Sequence, residues 1–267
     1  MHEEFILSPT EEDLAKSHFR GLLPGQIDYP LGPINESLPF PIFFRFTLSE
    51  RKILKTHVEI GWLHQGIEKL LEDSSATESI EIVRRINPIC PNIIEHFFRI
   101  SAGLDPVEAD TLKAEKIAYH LHFIRQILKF LREDYLLVLL NTNLEHFRTS
   151  FLRSKRLKTK LSGIGAISLA EALSYGLTGP SLKACYAPYT GDIWSRLVVK
   201  LEETRDPPVD CAPEGDLIFS NLPGRVRIKT PAFAHASALP VFLKNADLDD
   251  LTLILLSLGL VGTEIDR

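Results

Sequence analysis

The stretch Ile117-Ala-Tyr-His-Leu-His-Phe-Ile-Arg-Gln-Ile-Leu-Lys-Phe-Leu131 decides how the rest of the chain is read. Its apolar residues Ile117, Leu121, Ile124, Leu128 and Leu131 recur every three or four positions, and Leu136 extends the series. With 3.6 residues per turn, that spacing gathers them on one face, as a bundle helix requires. The segment Val107–Phe147 is long enough for one continuous helix or a broken pair.

The helical pattern continues upstream. Ile80, Ile82, Val83 and Ile86 form one run, and Ile93, Ile94, Phe97, Phe98 and Ile100 follow Pro91. Gly103 and Asp105-Pro106 stop that run and start the next. Leu63, Ile67, Leu70 and Leu71 give a first short helix. Before it, aromatic and β-branched residues from Leu38 to Glu59 flank a polar Ser49-Glu50-Arg51-Lys52 turn, which predicts a β-hairpin. The first thirty residues give a weak amphipathic stretch, Glu11–Phe19, then turn chemistry from Gly21 to Pro33.

Downstream, Arg148 to Lys160 holds six basic residues and no acid. It reads as a solvated helix end and loop, or as a docking patch for an acidic partner or lipid headgroups. Short helices are predicted at Ser168–Ser174 and Asp192–Glu203, a proline-rich loop at Arg205–Gly215, and strands at Asp216–Ser220 and Arg225–Thr230. The apolar tail Leu239–Leu260 reads as helical. The expected fold class is α+β: mainly a helical bundle, with a small N-terminal antiparallel β-sheet and a short C-terminal β element. Residues 1–72 form the β-rich region and first helix, and 73–267 the bundle core, in one compact unit.

Composition narrows the function. The chain has 267 residues, 45% hydrophobic and 24% charged, which excludes disordered and disulfide-framework classes. Thirty Lys+Arg against 35 Asp+Glu give net −5, so no domain-wide basic excess invites nucleic acid. Cys90, Cys185 and Cys211 stand far apart, which fits a reducing compartment. The acidic start and the lack of a long apolar run predict no leader and no transmembrane segment.

Few residues suggest chemistry by spacing. His57 and His64 do not match a zinc pattern, and His120 and His122 lie on different helix faces. Packing or surface exposure is their expected role. No Glu is followed three residues later by His, so a carboxylate-bridged di-iron bundle is excluded. Ser162-Gly-Ile-Gly165 lacks the Lys-Ser/Thr ending of a phosphate loop.

Four segments, in order, resemble the hydrogenase large-subunit superfamily, most of all the 49 kDa (D) subunit of respiratory complex I, NADH:quinone oxidoreductase. His57-Val-Glu-Ile-Gly-Trp-Leu-His-Gln-Gly-Ile-Glu-Lys69 resembles G-[YW]-x-H-R-G-x-E-K. Ser162-Gly-Ile-Gly-Ala-Ile-Ser-Leu-Ala-Glu-Ala-Leu-Ser-Tyr-Gly-Leu-Thr-Gly-Pro-Ser-Leu-Lys183 is similar to G-[VI]-G-x-[VI]-S-x-E-x-A-x-x-x-G-x-[ST]-G-P-x-L-R. Gly191-Asp-Ile-Trp-Ser-Arg-Leu-Val-Val-Lys-Leu-Glu-Glu203 is similar to G-D-x-x-x-R-x-x-V-R-x-E-E. Arg225-Val-Arg-Ile-Lys-Thr-Pro-Ala-Phe-Ala-His235 and Thr263-Glu-Ile-Asp-Arg267 resemble the F-A-H segment and the E-V-D-R terminus.

The departures qualify the resemblance. Nickel–iron hydrogenases hold their metals with two C-x-x-C motifs, whose positions fall here on Asn87, Cys90, Val261 and Glu264. One remaining thiol is a poor match for a pair of soft-ligand metals. By the same resemblance, Asn35 stands where the family has a histidine, Phe98 where it has the quinone-binding tyrosine, and Gln65 where it has an arginine near the terminal cluster. Asn35 and Phe98 are not acids near neutral pH. The chain is also shorter than typical members, and the missing stretch is expected before Ser162.

The resemblance implies a component of a membrane-associated electron-transfer complex that packs on an iron–sulfur small subunit and walls a quinone or acceptor cavity. It would bear no nickel–iron site of its own. Asn35, His64, Gln65, Glu68, Phe98, Arg196 and His235 are the residues expected to face the quinone or cluster. No cofactor is expected on this chain itself. A quinone is the implied ligand, the iron–sulfur cluster belongs to a partner, and NAD binding comes with the resemblance to an NADH-oxidising complex. The implied location is cytoplasmic, peripheral on the inner face of the membrane. The alternative is a non-catalytic scaffold or interaction paralogue, so whether the chain is part of an active enzyme stays open at this point.

Overall fold

The structure, a computed structural model, describes residues 25–31, 42–60, 66–222, 225–261 and 264. The fold is α+β and mainly helical, with a three-stranded antiparallel sheet near the N-terminal side and a two-stranded one near the C-terminus.

The predicted hairpin is present as β2 (Ile42–Ser49) and β3 (Lys52–Glu59), with Glu50 at φ 55° in its turn. A third strand, β1 (Gln26–Leu31), pairs with β2 where the sequence suggests only turns. Its Asp28 lies opposite Arg45 and accepts Nε–H and Nη2–H at 2.6 and 2.9 Å. This forked bond holds Pro30 in an outer strand, where a missing N–H is tolerated. On the other side of the sheet, Asn245 and Leu248 donate to the carbonyls of Ile53 and Arg51, and Ile53 donates to Ala246. A loop of the helical part thus covers the β3 edge.

After α1 (Ile67–Glu72) and α2 (Ala76–Val83) come α3 (Pro91–Ser101) and the longest helix, α4 (Ala109–Phe130). The long helical segment is broken: Arg132 adopts φ 55°, and α5 (Asp134–Thr142) and α6 (Leu144–Arg153) follow. The buried stripe of α4 also differs from its apolar periodicity. Leu112, Lys116, Tyr119, His120, Phe123, Ile124, Ile127 and Leu128 face inward, while Ile117 and Leu121 are half-buried. Two polar residues lie on that inner face, and they lead to the candidate site.

Next come α7 (Lys155–Leu161), α8 (Leu169–Ser174), α9 (Gly179–Lys183) and α10 (Ile193–Glu203). Strands β4 (Ile218–Leu222) and β5 (Arg225–Lys229) pair antiparallel. The apolar tail is two helices rather than one. Helix α11 (Pro231–Phe242) starts earlier than its hydrophobicity suggests, and α12 (Leu251–Ser257) follows the loop that covers β3. Nearly every side chain of α12 is buried, so it runs through the core.

Candidate functional site: a buried ionic cluster at the meeting of the motifs

Residues far apart in sequence meet around α10. Asp192, its N-cap, accepts Ser195 N–H at 2.8 Å and Gly163 N–H at 2.8 Å. Arg196 is 0% exposed; its Nη1 donates to the carbonyls of Gly165 (3.0 Å) and Gly191 (2.7 Å), and Nε to Ser257 Oγ (3.1 Å). One guanidinium therefore ties the Ser162–Gly165 turn, the start of α10 and α12 together. Gly191 makes this possible. It has φ 71°, and a Cβ there would stand 2.1 Å from the Ile167 carbonyl oxygen.

Arg196, Lys200 and Glu203 follow at i, i+4 and i+7, on one stripe of α10, and all are buried. Glu203 accepts from Lys183 Nζ at 2.6 Å and lies 3.1 Å from His120 Nε2 and 4.0 Å from Lys116 Nζ. Burial opposes its charge, yet His120, Lys183 and Lys116 outweigh that and bring its pKa down to about 2. Burial brings His120 down to about 4, so at neutral pH it is a neutral ring donating Nε2–H to a carboxylate. Lys116 also donates to the Pro208 and Cys211 carbonyls at 3.2 and 3.4 Å.

Lys200 Nζ lies 2.5 Å from Glu214 Oε1, and both residues are buried. The contact is an ion pair without hydrogen-bond geometry: among the described residues neither Lys200 Nζ nor either Glu214 oxygen has a hydrogen-bond partner. Burial pushes Glu214 up to about 7, with Lys200 pulling the other way. Burial likewise lowers Lys200 despite the attraction of Glu214. Arg196 Nη2, His120 Nδ1 and His235 Nδ1 are also buried without a hydrogen-bond partner among the described residues. Buried polar atoms without a hydrogen-bond partner among the described residues thus gather around α10, which makes this cluster the candidate site.

The four positions that the resemblance relates to metal-binding cysteines are all buried. Asn87 Nδ2 donates to Glu264 Oε1 at 2.5 Å, and Asn87 Oδ1 accepts from Ile89 and Cys90 N–H at 3.0 and 3.3 Å. Burial, then the charge of Glu264, raises the Cys90 thiol well above its ordinary range. An amide, a protonated thiol, a valine and a carboxylate are not the thiolate set that a nickel–iron pair needs. Among the described residues, no group of three or more His, Cys, Asp or Glu is placed to hold a metal ion.

The remaining expected site residues divide. Asn35, His64 and Gln65 lie outside the described residues. Glu68 accepts Ile228 N–H at 2.8 Å, which fastens α1 to β5. Phe98 is buried edge-to-face on Phe219, with centroids 5.6 Å apart. His235, on α11, is buried; burial and the charges of Lys200 and Arg196 lower it to about 3. Lys200, Glu203, Glu214, Lys116 and His120 do not stand out as site residues from sequence reasoning. The i, i+4, i+7 charges of α10 are a usable signal for the first two; Glu214, in a proline-rich loop, gives none.

No family model matches the chain. Its curated relatives all belong to the superfamily of complex I 49 kDa subunits and nickel–iron hydrogenase large subunits, and the chain is similar to them at low identity. It is 20% identical to the carbon monoxide-induced hydrogenase of Rhodospirillum rubrum over 346 aligned positions, covering 86% of this chain and 96% of that protein. It is 23% identical to the D subunit of the NADH-quinone oxidoreductase of Clostridium beijerinckii, covering 83% and 92%. To the D subunit of the F(420)H(2) dehydrogenase of Methanosarcina mazei the identity is 20%, covering 89% and 96%. An alignment of 346 positions exceeds the 267 residues here, so the Rhodospirillum rubrum relative carries stretches with no counterpart in this chain. These relatives are subunits of complex I-like or hydrogenase-like complexes.

Proposed function

We propose that this chain is the large-subunit component of a membrane-associated electron-transfer complex, packed on an iron–sulfur small subunit and forming one wall of a quinone or other acceptor cavity. The observation that supports this is the buried Lys200–Glu214 pair beside Arg196, Glu203 and His235. Burying such charges costs several kcal/mol per ion before pairing, roughly offset at best by the pair, so stability alone does not favour it. An ionisable interior of this kind suits a protein that handles charge nearby.

The iron–sulfur cluster of the partner would supply electrons. This chain's residues would hold and move protons: Glu214, at about 7, can bind or release one near neutrality, and Lys200 Nζ stands 2.5 Å from it. Asn35, His64, Gln65, Glu68, Phe98, Arg196 and His235 are proposed as the side of the chain toward the acceptor or cluster. The relatives' names differ in their electron donor, NADH in one and F(420)H(2) in another, so NAD is not proposed as a ligand of this chain. The location proposed is peripheral, on the cytoplasmic face of a membrane; among the described residues no helix is long and apolar enough to cross one.

The Asn87–Glu264 hydrogen bond favours a second reading, a non-catalytic scaffold, because it closes the metal-ligand positions on each other. One experiment separates the two. A tagged full-length chain is purified from native membranes in mild detergent, its partners are identified by mass spectrometry, and acceptor reduction is assayed with and without E214Q. Stoichiometric recovery with an iron–sulfur small subunit, and acceptor reduction slowed by E214Q, is the expected result. The same complex with acceptor reduction untouched by E214Q would leave the scaffold reading, and recovery of the chain alone would defeat both.

A further inference from the structure

A long helical stretch of the chain carries a charge opposite to that of the whole. Residues 129–160 hold eight Lys and Arg against three Asp and Glu, a local +5 in a chain of net −5. Lys129, Arg132, Arg153, Lys155, Arg156, Lys158 and Lys160 are exposed. Helix α7 explains part of this: Leu157 and Leu161 point into the core, leaving its four cations outward. The corner between α4 and α5 lies beside it, because Glu133 there takes both Arg156 Nε (3.3 Å) and Lys160 Nζ (3.2 Å). The same corner presents Phe130, 45% exposed, Tyr135, 65%, and Val138, 60%, while Leu152 is exposed at the end of α6.

We infer that this face, formed by the α4–α5 corner and α7, binds the anionic surface of a lipid bilayer. The inference stands on charge and exposure and does not rest on the redox reading. Four of the seven exposed cations are lysines, a residue depleted from the cores of protein–protein interfaces. Lysine suits a bilayer instead: its stem lies along the apolar boundary and its ammonium reaches the phosphates. Exposed Phe and Tyr among cations are the side chains that settle at the headgroup level. In a chain of net −5, a basic face also favours one orientation, since acidic parts of the surface are repelled by anionic lipid.

The test uses the purified full-length chain in flotation assays with phosphatidylcholine vesicles, with or without about 30% phosphatidylglycerol as the probe. Lys155 and Lys158 are substituted because Arg156 and Lys160 also hold Glu133. Binding to the anionic vesicles and not to the neutral ones is expected, weakening as salt rises. K155Q/K158Q should lower the partition coefficient roughly thirtyfold, at about 1 kcal/mol for each lysine. F130S/Y135S should weaken it further, with circular dichroism unchanged in both variants. Equal binding to neutral and anionic vesicles would overturn the inference, and so would no binding to either. Loss of a protein partner in K155Q/K158Q without any vesicle binding would overturn it too, and assign the face to an acidic protein.

Discussion

Asn87 donates a 2.5 Å hydrogen bond to Glu264 across 177 residues of chain, and both side chains are buried. The bond joins the turn between α2 and α3 to the stretch of chain that follows α12. Both are positions that the resemblance relates to metal-binding cysteines, and here a polar contact between protein groups bridges them.

Removing the amide should therefore destabilise the chain. Asn87→Ala takes away the donor to a buried carboxylate and the acceptor for two backbone N–H groups. The expected loss is about 2–4 kcal/mol, since hydrogen bonds to charged groups are worth about 1.5–3 kcal/mol and unmet buried groups add their own cost. Urea unfolding followed by circular dichroism measures it. A midpoint within error of the parent's would show that the bond contributes nothing.

The Lys200–Glu214 pair predicts a non-additive cycle. K200M leaves Glu214 buried without its cation and should cost about 3–5 kcal/mol, as should E214L in reverse. The double variant K200M/E214L should recover most of that loss, because no charge is then buried alone. Unfolding midpoints of the four proteins give the coupling directly, and simple additivity would contradict it.

The titration of the interior sets a pH dependence with a definite sign. His120 and His235 fold with pKa values of about 4 and about 3, below the ordinary 6.5, so the unfolded chain takes up protons first as pH falls. Their effect is lost stability below about pH 6.5. Glu214, raised to about 7 from 4.5, does the opposite: its contribution is complete below pH 4.5 and gone above pH 7. Between about pH 4.5 and 6.5 the three together leave about one proton of difference, roughly 1.4 kcal/mol per pH unit. Stability therefore rises with pH across that window. E214Q removes the opposing group, so its slope there should be about twice as steep. Chemical denaturation at several pH values would show whether the two slopes differ.

Arg196→Lys should not be conservative. An ammonium cannot reach the Gly165 and Gly191 carbonyls and Ser257 Oγ together as the planar guanidinium does. A loss of about 2–3 kcal/mol is expected, from buried acceptors left unmet. Thermal melting of R196K against the parent tests it, with an unchanged midpoint counting against the joining role.

Much of the fold is legible in the sequence because its causes are local. The hairpin turn at Glu50, the end of α3 near Gly103 and the start of α8 are set by residues within a few positions of each other. Ser168 and Glu171 form a reciprocal cap three residues apart, and Ser75 and Glu78 do the same at α2. Strand β1 is not legible, because it depends on Arg45, 17 residues away, to hold Asp28 in register. Nor is the break at Arg132, where no glycine or proline interrupts the helical pattern.

Periodicity and turn chemistry suffice for the helical class of the core, the hairpin and the second small sheet, and four ordered motifs suffice for the resemblance to the superfamily. Those features act between near neighbours or are written in short runs of residues. Which charges point inward is settled by packing instead. Lys116 and His120 lie on a helix whose apolar periodicity favours another face, and Glu214 comes from a loop with no pattern at all. Whether a charged side chain is buried depends on a suitable partner arriving from elsewhere in the chain, as Glu214 does for Lys200 and Asn87 for Glu264. That arrival is a property of the assembled core, and local sequence does not encode it.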